Sequence, residues 1–96
     1  MLEHKTSKCI IKLIDALIIE NKIIDGSNID VIDLTEIRNI NRTLTKDKPY
    51  SILLDAGKFT SITAEAREIS ATEEFSKNLI AKAFVIHSIP QRIVGN

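Results

Sequence analysis

Residues Leu53 to Arg67 read "LLDAGKFTSITAEAR", and this stretch decides the fold. An apolar run ends at Asp55, and Gly57 then opens a short polar loop. Thr63 is a favourable N-cap residue, because its hydroxyl can accept a hydrogen bond from the free amides of a first helical turn. The stretch therefore predicts a strand, a loop and a helix whose Ala66 faces inward.

The neighbouring segments extend this unit to two strands joined by a helix. "YSILLD", Tyr50 to Asp55, is almost wholly apolar, which is typical of a strand covered on both faces. After a weaker helical turn or loop at Thr72 to Asn78, "IAKAFVIHS", Ile80 to Ser88, predicts a second buried strand. Such a strand-helix-strand unit favours a parallel pair with a right-handed crossover.

The N-terminal third predicts two antiparallel strands. "KCIIKLIDALIIENKII", Lys8 to Ile24, alternates in part between apolar and polar residues, and the strands are expected to turn near Asp15 and Ala16. One long helix is the competing interpretation, since several isoleucines also recur at helical spacing. The density of β-branched residues favours the strands. "DGSN", Asp25 to Asn28, indicates a turn after them.

A helix is predicted to begin at Asp33, a good N-cap residue, and to be stopped by Pro49. Arg38 and Arg42 lie one turn apart on the side of this helix that is predicted to be exposed. The two cations could hold an anion, although a solvated helix face is the more ordinary interpretation. Apolar residues at spacings of three and four predict one buried stripe, formed by Leu34, Ile37, Ile40 and Leu44.

Together the segments predict an α/β fold with a mixed β-sheet and flanking helices, in the order β-β-α-β-α-β-(α). The first two strands give the sheet an antiparallel edge. Pro90 suits the first turn of a third helix near the end of the chain. Ninety-six residues fit a single domain with one core.

Composition argues against several classes of function. The 13 basic and 13 acidic side chains balance, so no basic surface for nucleic acid or an anionic membrane is expected. The single cysteine, Cys9, lies among apolar residues and is predicted to be a buried structural thiol. No segment is apolar enough to insert in a membrane, and the N-terminus does not resemble a signal peptide, so the expected location is the cytoplasm.

The strand ends carry the residue types of a possible site without a recognisable catalytic set. Ligands of open α/β sheets lie beyond the carboxyl ends of the strands, where Asp55, His87 and Ser88 are expected. A hydrolase would need a nucleophile elbow, and no such motif occurs. No Cys/His pair has metal-ligand spacing, and no phosphate-binding glycine loop is present, so no metal or cofactor is expected. The three phenylalanines, Phe59, Phe75 and Phe84, are predicted to lie in the core.

Two stretches resemble a known family. "KPYSILLDAGKFTSITAEAREISA" and "AKAFVIHSIPQRIVGN" resemble the STAS-like proteins related to anti-sigma-factor antagonists. The resemblance implies a mixed sheet with flanking helices and a cytoplasmic, non-enzymatic protein that works through protein contacts. In switchable relatives a kinase phosphorylates a serine at the start of the helix, and Glu65 occupies that place here, after Thr63 and Ala64. The family pattern continues with a further strand and helix, so residues 1–96 are expected to form one STAS-like domain without those two elements.

The leading functional hypothesis is a non-enzymatic interaction module that binds a protein partner or a second copy of itself as a homo-oligomer. The alternative is a small-ligand domain that binds a lipid or nucleotide beyond Asp55 and His87. Phosphorylation at Ser61 or Thr63 is a third hypothesis, since phosphate at a helix N-terminus would meet free amides. The candidate contact residues are Asp55, Gly57, Lys58, Ser61, Thr63, Glu65 and His87.

Overall fold

A computed structural model describes residues 2–85 of the chain, which form nine short elements. The predicted third helix and the candidate residues His87 and Ser88 lie outside the described residues. In chain order the elements are β1 (Leu2–Lys5), β2 (Cys9–Asp15), β3 (Ile18–Ile23), β4 (Asn28–Ile29), α1 (Val31–Leu44), β5 (Tyr50–Asp55), β6 (Ser61–Ile62), α2 (Ala64–Ser70) and β7 (Leu79–Phe84).

Five strands form one mixed sheet in the order β1-β2-β3-β5-β7. The first three strands pair antiparallel, whereas β3, β5 and β7 run parallel to one another. The α/β class, the mixed sheet and its antiparallel edge are therefore confirmed. Strand β1 and the small parallel pair of β4 with β6 were not predicted.

Strands β2 and β3 confirm the antiparallel interpretation of the N-terminal third. Their inward side chains include Cys9, Ile11, Ile19 and Ile23, which form much of the core. Cys9 is fully buried, and loss of contact with water raises the pKa of its thiol to about 12. The prediction of a buried structural thiol is confirmed, since a thiol that stays protonated is a poor nucleophile.

The N-cap of helix α1 lies three residues before the predicted one. Asp30 is the N-cap, and its carboxylate accepts a hydrogen bond of 2.9 Å from the Asp33 amide. The Asp33 carboxylate in turn accepts from the Asp30 amide at 3.1 Å, which completes a capping box. It also accepts from Lys8 Nζ at 2.6 Å. Asp33 thus stabilises the first turn from inside the helix, and its prediction as the N-cap was wrong.

The end of helix α1 also differs from the prediction. The helix ends at Leu44, five residues before Pro49. Lys46 and Asp47 then adopt left-handed backbone angles, with φ of 55° and 59°, which turn the chain away from the helix axis. Proline is therefore not the residue that terminates this helix.

Strand β7 is an edge strand among the described residues, and the prediction that it is buried was wrong. It pairs with β5 alone in the described sheet. Ile80 and Phe84 are 67% and 65% exposed. Phe59 is 91% exposed in the loop before β6, so the prediction of a core position also failed for Phe59 and Phe84. Composition alone predicted burial here, but the position of a strand in the sheet decides how many of its faces are covered.

We expect replacement of Asp33 by asparagine to destabilise the protein at neutral pH and to matter less in acid. Partial burial alone would raise the pKa of Asp33, but hydrogen bonds from Lys8 and the Asp30 amide outweigh it and hold the pKa below 3.8. A lowered carboxylate pKa contributes stability above the unfolded value, near 3.9, and this contribution is lost as pH falls through the folded value. Asp33→Asn should lower the free energy of unfolding by about 1 kcal/mol at pH 7, the upper range for a carboxylate in the first turn of an exposed helix. The difference from wild type should shrink below pH ~3, as urea unfolding at both pH values can measure.

Asp47→Asn, at an exposed aspartate with no ion pair among the described residues, is the control. A pH-independent effect of Asp33→Asn would contradict this account.

Candidate functional site

The predicted contact loop, residues 57–63, is fixed to the turn after β3. The Lys58 amide donates to Asp25 Oδ1 at 2.7 Å, and the Gly26 amide donates to the Lys58 carbonyl at 2.8 Å. Gly57 lies so close to this turn that a methyl group in place of its hydrogen would stand 2.5 Å from the Ile23 carbonyl oxygen. The loop is therefore a well-anchored element and not a loose connection.

The C-terminal half of the contact loop pairs with β4. The Ser61 amide donates to the Ser27 carbonyl and the Thr63 amide to the Ile29 carbonyl, both at 3.0 Å. The Ser61 hydroxyl donates to Asn28 Oδ1 at 2.8 Å. These bonds attach the end of the contact loop to β4 through backbone and side-chain groups.

Thr63 is the N-cap of α2, as predicted. Its Oγ1 accepts a hydrogen bond of 3.1 Å from the Ala66 amide, and Ala66 is fully buried, while Glu65 on the first turn is exposed. The hydroxyls of Ser61 and Thr63 thus both have structural roles. Phosphorylation of either residue stays a prediction.

Asp55 lies at the end of β5 and is 7% exposed. Its partner in the sheet register is Lys22 on β3, which places both residues on the same face of the sheet. The structure therefore brings Gly57, Lys58, Ser61, Thr63 and Glu65 together along one anchored segment, beside a buried Asp55.

A cavity of about 270 Å³ lies between the sheet and the two helices. Of the predicted contact residues that the structure describes, only Ser61 lines it, next to Thr60 and Ile62. The cavity therefore adjoins the contact loop but does not extend to Asp55, where a ligand was predicted. Most of its wall is aliphatic and consists of Ile23, Ile29, Leu34, Ile37, Ile52, Leu54, Ile62 and Leu79.

Two buried amides form part of this wall. Asn21 on β3 and Asn41 on α1 exchange two hydrogen bonds, each 2.9 Å long, and both residues are at most 3% exposed. Each side-chain amide uses one N–H and one oxygen lone pair in these two bonds and has a second N–H that they do not use. The pair was missed in the sequence. A signal was present, because Asn21 interrupts the apolar alternation of Ile19 and Ile23 and Asn41 interrupts the stripe of α1.

Arg38 and Arg42 do not lie on a solvated helix face, so that prediction was wrong. Both are partly buried, and each has a buried Nε with no hydrogen-bond partner among the described residues. Arg42 Nη2 donates to the carbonyls of Glu74, Phe75 and Lys77 at 3.3–3.4 Å. The Arg38 guanidinium lies 4.5 Å from the centre of the Phe75 ring. The two arginines therefore hold the turn between α2 and β7 against helix α1.

Tyr50 begins β5 and lines the cavity at 2% exposure. Burial raises the pKa of its hydroxyl, and the guanidinium groups of Arg42 and Arg38 offset part of that shift. The Tyr50 phenol, Arg38 and the amide pair form a polar side to a largely apolar cavity, and Arg42 lies outside its wall.

Other kinds of site find no support in the part of the chain that the structure describes. Residues 2–85 contain no cluster of three His, Cys, Asp or Glu side chains that could hold a metal ion. Within the same residues no helix has the length and apolar character needed to cross a membrane.

Comparison with known proteins gives a family and no assigned activity. The model of the family described as "Domain of unknown function (DUF7793)" matches residues 12–96. No curated protein and no solved structure matches the chain.

Gly57→Ala should destabilise the protein more than Gly26→Ala. The added methyl group would clash with the Ile23 carbonyl oxygen and with Asp25, which should cost about 2–3 kcal/mol as an overpacked site does. Gly26 is the control, because a methyl group there meets nothing within 4 Å and only its φ of +78° penalises alanine, by about 1 kcal/mol. Denaturant unfolding of both variants measures the difference. Equal losses would show that the contact loop does not need its close approach to the turn after β3.

Proposed function

The chain belongs to the family described as a domain of unknown function (DUF7793), and we propose that this domain binds a small, largely apolar ligand in the cavity between its sheet and helices. The observation that carries this proposal is the cavity itself. Its volume of about 270 Å³ is close to the lower limit of ligand pockets, which is roughly 300 Å³. An aliphatic wall with a few converging polar groups is the usual composition of such pockets.

The proposal reverses the order of the two leading hypotheses. A filled core would have removed the ligand-binding hypothesis, whereas an interaction module needs no cavity. The position also differs from the predicted one, since the ligand would lie beneath the helices beside Asn21, Asn41 and Tyr50. No step of chemistry is assigned, and a non-enzymatic role is part of the proposal.

A STAS-like origin is a further part of the proposal. It is supported by the mixed sheet with an antiparallel edge and by the Thr63-capped helix after β5. Both features fit the pattern that the sequence resemblance implies. The cytoplasmic location rests on that sequence reasoning and on the resemblance.

An apolar probe, 1-octanol, should bind in the cavity and be blocked by added volume there. Leu54 lines the cavity, so Leu54→Phe should weaken octanol binding tenfold or more. Leu53→Phe is the matched control, because the preceding residue on the strand points to the opposite face of the sheet. Its affinity for octanol should stay within threefold of wild type. Tyr50 is the only tyrosine of a chain without tryptophan, so its fluorescence reports binding directly.

Two results would contradict the ligand-binding proposal. Octanol that does not change Tyr50 fluorescence at any soluble concentration would remove the cavity as a binding site. Equal weakening by Leu53→Phe and Leu54→Phe would place the probe elsewhere. The melting temperature of each variant shows whether the fold is retained.

A second candidate function, protein contact through the loop at 57–63, is favoured by Phe59. This ring is 91% exposed in a well-anchored segment, and aromatic side chains often dominate the affinity of protein interfaces. The contact would be with a partner protein or a second copy of the chain.

Phe59→Ser should remove such a contact without unfolding the protein, because the side chain is already exposed. Sedimentation velocity over a concentration series tests self-association, and retention of a partner from source lysate on immobilised protein tests the other case. Ile32→Ser, at an apolar residue of α1 that is 79% exposed, is the control. A monomeric wild-type protein whose retained partners are the same after Phe59→Ser would exclude the contact.

A further inference from the structure

The ligand-binding function proposed above leaves the class of ligand open, and the following inference rests on that function. We infer that the cavity binds a small amphipathic anion, with an apolar body against the aliphatic wall and a carboxylate held by Arg38 and Lys82.

The charged residues of the cavity all have one sign. Arg38 and Lys82 line it, and no aspartate or glutamate among the described residues does. The chain as a whole is balanced, with 13 residues of each sign, so the bias belongs to this place in the fold. Two cations beside an apolar space attract an anion and repel a cation, and the low polarity of the wall strengthens the effect.

Arg38 has hydrogen-bonding capacity that the described residues do not use. None of the ion pairs in residues 2–85 includes it. Within residues 2–85 its only hydrogen bond is a long one of 3.5 Å to Asn39 Oδ1, and its buried Nε has no partner there. A buried donor without an acceptor is costly, and a carboxylate can accept from Nε and a terminal nitrogen of the same guanidinium together.

The surroundings of Arg38 fix its position before a ligand arrives. Phe75 stacks on the guanidinium, and Arg42 binds the turn that carries Phe75. A cation that is already ordered loses little side-chain entropy on binding an anion. Arg42 adds positive charge close to the cavity, because its charge lowers the pKa of the Tyr50 hydroxyl.

The volume limits the size of the ligand. At ~30 Å³ for each non-hydrogen atom, the share of a water molecule in the liquid, the cavity of about 270 Å³ holds a molecule of about nine such atoms. A carboxylate with an eight-carbon chain has this size. Octanoate is therefore the probe, with 1-octanol and octylamine as its neutral and cationic counterparts.

The three probes should bind in a fixed order at pH 7. Octanoate should bind at least about tenfold more tightly than octanol, the gain expected from a charge-assisted hydrogen bond, and octylamine should bind most weakly. Added salt should weaken octanoate binding and leave octanol binding unchanged. Isothermal titration calorimetry and Tyr50 fluorescence measure the affinities.

Substitution then tests the two cations. Arg38→Gln should weaken octanoate binding about tenfold to a hundredfold and leave octanol within threefold of wild type. Lys82→Gln should weaken octanoate binding less than Arg38→Gln, because water screens the charge of an exposed side chain. The protein should stay folded after this substitution, since Lys82 is exposed. Arg67→Gln, at an exposed arginine of α2 outside the cavity, removes the same charge as a control and should change neither affinity.

Each other outcome is decisive. Equal binding of octanol and octanoate would overturn the inference and keep the ligand-binding function. Octanoate binding that Leu54→Phe removes but Arg38→Gln and Lys82→Gln do not would overturn the assignment of the carboxylate to these residues. Binding of none of the three probes would overturn the inference and the proposed function together.

Discussion

The reciprocal amide pair of Asn21 and Asn41 is the interaction on which the arrangement of helix and sheet depends. Aliphatic contacts alone tolerate sliding and rotation, because one methyl group replaces another at little cost. A rotation of α1 by one residue would separate two buried amides and leave both without partners, at about 1–3 kcal/mol for each group. The pair therefore fixes which face of α1 meets the sheet, and with it the positions of Ile37 and Arg38 beside the cavity.

Arg42 extends this constraint to the end of the sheet. Its three carbonyl acceptors lie in the turn that leads from α2 to β7, so a single side chain of α1 fixes a segment more than thirty residues away in sequence. Phe75 is carried by that turn and covers Arg38. Helix α1 thus determines two sides of the cavity, and the contact loop supplies a third through Thr60, Ser61 and Ile62.

Local patterns in the sequence predicted local structure well and tertiary pairing poorly. The bounds of β5, the Thr63 cap and the burial of Cys9 follow from short runs of residues, and they were predicted. Asp30 and Asp33 both fit an N-cap, and only the reciprocal bonds of the capping box show which one caps the start of the helix. Asn21 and Asn41 each interrupt an apolar pattern in the sequence. Their pairing could not be predicted, because neither segment indicates that the other will pack against it. Phe59 was assigned to the core by residue type, yet a left-handed backbone at φ 56° in an anchored loop exposes it.

A cavity lowers the stability of a protein, and this loss matters most in a domain as small as this one. Apolar space that stays unfilled in a protein core lowers stability in proportion to its volume, and the aliphatic part of this cavity of about 270 Å³ makes no contact across the gap. Small domains have a total stability of only about 5–15 kcal/mol. Leu54, Ser70 and Ser76 line the space, and these small or medium side chains leave it unfilled. The Asn21–Asn41 pair joins α1 to the sheet at one position, and a shift of α1 along the sheet to fill the space would break its two hydrogen bonds. A bound molecule with an apolar body would recover part of that free energy, which is the physical reason to look for one.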